Sequence, residues 1–376
     1  MNIKHTLLLP ILGFGLTAGC AHAQAQTVPA KTDPSQLSTL VKTLKEKSGA
    51  RAVLFGMWEG DREILTAALG DSMTSTPATT DMHYRIGGIS ETFLSTLLLR
   101  LVDQKLINLN DKLSKWYPAL LAADQVTLRM LINNTAGYKD YVYDPAFIKL
   151  ALDEPFREFS ADEIIKYAVK DGQMNFPPGT SQKYSHTEYV IIGEVMEKAT
   201  GKSMTQLYQE QIFTPLGLKD TQVHTTPELQ TPVLHAFSSD RGVYEDSTFW
   251  NPSWTSHTGG LNSNLKDIGR WGPAFGSGSL LSPESFQEQT GPATVGLGNN
   301  KPELYFAYGF VVANGWYVQN PNFGGFKGAF AYLPSKKITI VIESTQSPGG
   351  DSSKNEAFQI LQEVIQFVTP EVPLKL

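Results

Sequence analysis

Alternating apolar runs stand at both ends of this chain, and helical runs fill its middle. Near the start, Arg51 to Trp58 and Arg62 to Leu69 read as two strands joined by Glu59-Gly60-Asp61. Near the end, Leu304 to Ala313, Gly315 to Val318, Lys327 to Leu333 and Lys337 to Glu343 read as consecutive strands, the last alternating Ile338, Ile340 and Ile342. Between them lie helices. Glu91 to Leu106 is apolar nearly all round, which predicts burial on most sides. Thr127 to Ile132 is a short helix, and Ser160 to Glu163 has the spacing of a capping box opening another. Tyr189 to Thr200, stopped by Gly201, and a run marked by Leu265, Ile268 and Trp271 continue the pattern. Leu37, Leu40, Val41 and Leu44 form a helix before the first strand, and Ala357 to Val368 forms one after the last. Strands that cannot pair within the middle must pair across it. The pattern therefore predicts an α/β (α+β) fold: one antiparallel sheet made from both chain ends, flanked by helices, with a helical lobe beside it. Residues 37–369 form this body, with the sheet lobe over about 37–86 and 300–369 and the helical lobe over about 87–299.

The first 25 residues read as an export signal. Lys4 supplies the positive end, and Leu7 to Leu16 is too short an apolar run to span a bilayer as a helix. Two exits follow. Ala21-His22-Ala23 is an A-x-A cleavage site that would release the protein to the periplasm or medium, whereas Leu16-Thr17-Ala18-Gly19-Cys20 resembles a lipobox that would leave Cys20 lipidated. Residues 26–36 read as a polar linker, and no later run is long enough for a transmembrane helix.

Charge narrows the partners. The 31 basic and 37 acidic residues are interspersed, and removal of Lys4 with the signal gives 30 − 37 = −7. No basic stripe is present to neutralise phosphates, which argues against nucleic acid. The one cysteine, Cys20, falls at the signal boundary, so the folded body holds no disulfide, thiolate cluster or cysteine nucleophile. The histidines are scattered without H-x-H or H-E-x-x-H spacing, so no metal and no cofactor is expected.

The order of local patterns is more specific. Tyr84-Arg85-Ile86-Gly87-Gly88-Ile89-Ser90-Glu91-Thr92-Phe93 resembles the F-R-I-G-S-x-x-K-T-F segment of the serine β-lactamase and D-alanyl-D-alanine carboxypeptidase superfamily. Leu131-Ile132-Asn133-Asn134-Thr135-Ala136-Gly137-Tyr138, Phe176-Pro177-Pro178-Gly179 with Tyr184-Ser185-His186-Thr187, Pro215-Leu216-Gly217-Leu218 and Asn251-Pro252-Ser253-Trp254 continue the resemblance. It covers about residues 50–365 and implies a serine-β-lactamase-like transpeptidase fold.

The resemblance also implies a chemistry that this chain lacks. Working members use a serine with a lysine one helical turn later, on the same face because residues i and i+3 are neighbours. Here the serine position is Gly88 and the lysine position is Glu91. The Y-x-N motif is Tyr184-Ser185-His186, and the basic third motif falls on Gln319-Asn320-Pro321, where proline removes a strand N–H. The resemblance gathers Glu91, Tyr184 and His186 in one pocket as candidates for proton transfer, with Gly88, Gln319, Asn320 and Asn322 as candidate substrate contacts. Bland roles compete: Glu91 as a helix-start acid, His186 bonding a backbone group in the asparagine space, Tyr184 as a packed aromatic. Ser90 should point away from the pocket, Ser263 should cap the following helix, and His257-Thr258-Gly259 lies outside the expected strand. The missing Gly88 side chain should leave room in the pocket. The expected function is a non-catalytic or strongly altered relative that binds a peptide-like or small ligand in the inherited groove. The alternatives are an active enzyme using Glu91, Tyr184 and His186, or an envelope scaffold. The sequence sets no oligomeric state.

Overall fold

A computed structural model describes residues 32–224 and 226–375. The expected signal at residues 1–25, with Cys20, and residues 26–31 of the expected linker lie outside the described residues. The first helix, α1 (Pro34–Ser48), begins three residues inside that linker, because Asp33 accepts from the Ser35 N–H and Pro34 sits in the first turn. Strands β1 (Ala52–Glu59) and β2 (Arg62–Met73) follow, then the buried helix α2 (Ile89–Asp103). Helices α3 (Pro145–Asp153), α4 (Ala161–Val169), α5 (His186–Thr200), α6 (Leu265–Ser277) and α7 (Pro283–Thr290) occupy the middle. Strands β3 (Leu304–Phe306), β4 (Val311–Ala313), β5 (Trp316–Gln319), β6 (Phe326–Leu333) and β7 (Ile338–Thr345) lead to α8 (Glu356–Val368).

These strands build a nine-stranded antiparallel sheet in the order Thr76–Pro77, β2, β1, β7, β6, β5, β4, β3, with Asn322–Phe323 paired to β6. The two chain ends meet at β1 and β7, from Ala52 opposite Thr345 to Glu59 opposite Ile338. The two-residue period decides which side chains face which layer. Val53, Phe55, Ile340 and Ile342 point to one face, where Leu37 and Val41 of α1 and Ile360, Leu361 and Val364 of α8 cover them. Leu54, Phe330 and Val341 point to the other face, against α2 and α6. Each such side chain contributes about 1.5–3 kcal/mol on full burial. Phe93 of α2 stacks on Trp271 of α6 with centroids 3.8 Å apart, and the Trp271 indole N–H reaches Thr92 Oγ1 at 2.9 Å.

Two local expectations are corrected. The run 304–313 is not one strand but two, because the chain turns at Ala307–Phe310. Gly309 there has φ +82°, and a Cβ on it would lie 2.6 Å from the Glu91 carbonyl. Ser263 is not a cap: it ends a short strand and pairs with Thr221 Oγ1 at 2.9 Å, while Asn264 caps α6 by accepting from the Asp267 N–H. Helices α3 and α7 had no counterpart in the sequence reading.

Candidate active-site groove

A cavity of about 540 Å³ opens where the start of α2, the start of α5, the end of β5 and the turn 254–259 converge. Gly88 caps the N-terminus of α2 with φ −60° and ψ −12°, a backbone any residue can adopt. The space in front of it is not free. A Cβ on Gly88 would lie 3.0 Å from Gln319 Oε1. Gln319 is held there by its amide nitrogen, which donates to the Gly309 carbonyl at 2.6 Å and to Glu91 Oε2 at 3.1 Å. The room expected at Gly88 is therefore filled by the Gln319 side chain.

Glu91 is fully buried in the first turn of α2. It does not cap the helix; the N-terminus has no side-chain cap. Its carboxyl accepts from the Tyr184 hydroxyl and the Gln319 amide. Burial pushes its pKa up to about 8, against the pull of the nearby His186 charge and these two donors. Near neutral pH the carboxyl is therefore largely protonated. Burial and the Glu91 charge together raise the Tyr184 phenol well above its usual range, so it stays a donor.

His186 opens α5, and its Nδ1 lies 2.8 Å from Asp140 Oδ2. It bonds this carboxylate and not a backbone group. Its side chain is 28% exposed and that of Asp140 only 3%. Burial lowers the imidazole pKa, but the Asp140 charge and hydrogen bond outweigh it and hold the pKa above its ordinary value. Among the described residues His186 Nε2 makes no hydrogen bond, and the ring lines the cavity. Asp140 is placed by Glu188, three residues into α5, whose carboxyl accepts the N–H groups of Ala136, Gly137 and Tyr138 at 2.9–3.3 Å. That cradle fixes the loop just before Asp140.

Of the candidates read from the sequence, Gly88, Tyr184, His186, Gln319, Asn320 and Asn322 line the cavity, and Glu91 lies behind Tyr184. Strand β5 ends at Gln319, and Pro321 instead gives its carbonyl to the Gly328 N–H at 2.8 Å and the Asn355 amide at 2.9 Å. Asn322 donates to the Ser352 carbonyl at 3.0 Å. Ser90 is buried outside the cavity wall, as its position on the helix predicts. The sequence reading missed Asp140, which carries no local mark beyond starting a helical turn. It also missed Thr258 and Gly259 as wall residues, although their neighbour His257 turns away to Glu194 Oε1 at 3.2 Å.

Among the described residues one group has metal-ligand geometry: Glu194, Glu197 and His257 present ligand atoms within 4.8 Å of one another. Its oxygens are already engaged, by Tyr117, Lys198 and His257 on Glu194 and by the Met204 N–H on Glu197. The Lys198 ammonium 3.4 Å from Glu194 marks the group as an ion-pair cluster.

Residues 37–364 match the family model described as Beta-lactamase. The D-alanyl-D-alanine-carboxypeptidase/endopeptidase AmpH of Escherichia coli is 26% identical over 292 residues, 71% of this chain and 72% of that protein. A D-stereospecific amidohydrolase from a Streptomyces species superposes with a TM-score of 0.78 at 24% identity, over 90% of this chain and 99% of the other. A D-amino acid amidase from Ochrobactrum anthropi complexed with D-phenylalanine gives a TM-score of 0.75 at 20% identity, over 89% and 99%.

Proposed function

This chain belongs to the beta-lactamase family, whose members matched here are hydrolases, and from that premise we propose that it binds a small peptide-like ligand in the inherited groove without forming an acyl-serine intermediate. One observation carries the reading. At the nucleophile position there is a glycine, and the Gln319 amide fills the space a serine hydroxyl would need. The lysine position holds a largely protonated acid that cannot deprotonate a nucleophile from there at neutral pH. What the groove retains is recognition: an aromatic rim from Tyr143, Trp254, Phe306 and Phe323, and polar ends at His186, Gln319 and Asn320. Relatives named for D-amino acid amides and D-alanyl-D-alanine substrates suggest a ligand with a D-residue. Export by the leader at residues 1–25 would place the protein in the cell envelope, as a sheet lobe and a helical lobe sharing this groove.

Calorimetry with a D-phenylalanine-containing dipeptide amide tests the reading. Saturable binding is expected, weakened about tenfold in His186→Ala through loss of a charge-assisted hydrogen bond. Heat released equally by wild type and by Gly88→Trp, which fills the groove, would sink it.

The His186–Asp140 pair supports a second reading. With Asp140 holding Nδ1–H, a neutral His186 would take a proton from water at Nε2. Hydroxide would add to an ester or amide carbonyl, and the leaving group would take a proton from the Tyr184–Glu91 pair. Turnover of D-amino acid amides would then rise with pH through a value above 6.5, the ordinary histidine value. It would vanish in His186→Ala and fall steeply in Asp140→Asn. No turnover at any pH removes this reading and leaves the first.

A further inference from the structure

A second cavity of about 420 Å³ lies beside the groove. The two share Val142, Trp254, Asn322 and Phe323 as a dividing wall, with Trp254 and Phe323 edge to face at 5.8 Å. The far side is built largely from apolar surface: Phe147, Ile148, Ala151 and Leu152 from α3, Trp250 from the loop before Pro252, and Phe326 from β6. Helix α3 is amphipathic, yet Ile148 is left 40% exposed, so its apolar face is only partly covered by the chain.

One wall residue is unlike the rest. Arg85 is only 3% exposed, and it has no carboxylate within ion-pair distance among the described residues. Its guanidinium donates to the Pro227 carbonyl at 2.6 Å and the Thr248 carbonyl at 3.3 Å, and approaches Asn262 Oδ1 and His224 Nδ1 at 3.4 Å. All four are neutral acceptors: burial and the Arg85 charge drive the His224 pKa down to about 3, so that ring does not compete for protons. Burying a cation without a counter-charge costs several kcal/mol, and neutral dipoles offset only part of it. The one acid on the cavity wall, Asp240, is exposed and does not pair with it. An apolar chamber with an un-neutralised guanidinium in its wall is complementary to an apolar group that carries an anion.

We propose that this chamber is a second ligand site, which takes a small apolar carboxylate, an aryl or branched alkyl acid, with the apolar part against α3 and the carboxylate toward Arg85. The assignment goes beyond the groove and does not depend on it. Trp250 and Trp254 stand in the wall and supply an intrinsic fluorescence signal.

The test is a fluorescence titration of the full chain with phenylpropionate and with its neutral amide. The acid is expected to bind about 10- to 100-fold more tightly than the amide, the range of one hydrogen bond to a charged group. Arg85→Gln should bring the two to equal affinity. Because that side chain is buried, the variant is checked for folding. Ala151→Trp, which fills the half-exposed floor of the chamber, provides an independent arm and should abolish binding of the acid with the thermal midpoint retained. Gly88→Trp should leave it intact, which separates this site from the groove. Equal affinities for acid and amide in the wild type, binding that survives Ala151→Trp, or no saturable binding of either compound overturns the proposal.

Discussion

The double variant Gly88→Ser/Glu91→Lys, which restores the two residues of the usual nucleophile motif, is expected to remain unacylated by a labelled penicillin and to hydrolyse no β-lactam. The serine would enter a backbone that accepts it, but its Cβ would stand 3.0 Å from Gln319 Oε1. Gln319 cannot simply withdraw, because its amide nitrogen is bound to the Gly309 carbonyl in the tight turn that splits the expected strand. The lysine would replace an acceptor by a donor. Tyr184 and Gln319 both donate to Glu91 now, and the ammonium would face them with His186 nearby, itself biased toward its charged form. Two buried hydrogen bonds are lost, at about 1–3 kcal/mol each where a partner is left unsatisfied. The double variant should therefore melt several degrees below wild type. Polarisation of the substrate would still be missing. A lost electrostatic donor of this kind costs about 10²–10³ in rate; Gln319 supplies no cation, and Pro321 supplies no backbone N–H. Labelling should appear only when Gln319→Lys is added, since that change removes the amide oxygen that faces the serine position and restores a positive charge together. Rapid acylation of the double variant would show that Gln319 does not obstruct the site.

The sequence made the sheet legible because strand periodicity is local: Ile338, Ile340 and Ile342 alternate whatever they pack on. Burial of α2 was legible for the same reason. The two missed helices, α3 and α7, and the late start assigned to α1 share a feature: each helix begins with Asp or Ser followed by Pro, at Asp33-Pro34, Asp144-Pro145 and Ser282-Pro283, and in each the residue before proline caps the helix. At the first helical position the missing N–H of proline costs nothing. The site was legible only as far as its motif positions. That Glu91, Tyr184 and Gln319 form one hydrogen-bonded set follows from strand register across 228 residues of separation, and the His186–Asp140 pair spans 46. No periodicity encodes such contacts. Asp140 was hidden because its partner is chosen by the Glu188 cradle, which is a tertiary feature.

The same buried chemistry should make the protein more stable in mild acid than in mild base. Glu91 has an ordinary pKa of 4.5 when exposed, and burial raises it to about 8 in the folded state. Between those values the folded chain holds a proton that the unfolded chain has released, so stability falls as pH rises. Its contribution is complete below about 4.5 and lost as pH climbs through about 8. At about 1.36 kcal/mol per pKa unit, this one group accounts for a loss on the order of 5 kcal/mol across that window. Glu188, also raised to about 8 by burial against its four donors, and Glu343, raised well above the ordinary carboxyl range by burial, act in the same direction. His186 is raised as well, so its share is likewise held at low pH and lost above its folded value. The groups facing Glu91 are Tyr184, Gln319, His186, Asp140, Tyr141 and Tyr189; the His186 charge lowers its pKa and the Asp140 charge raises it. Urea unfolding at a series of pH values should give a free energy that declines from pH 5 to pH 8. In Glu91→Gln, which is neutral throughout and still accepts through its amide oxygen, the decline should be shallower by a few kcal/mol, with Glu188 and Glu343 producing the remainder. Parallel curves for the two proteins would mean that Glu91 is ionised in the folded state, leaving a buried carboxylate behind Tyr184 instead of a protonated acid.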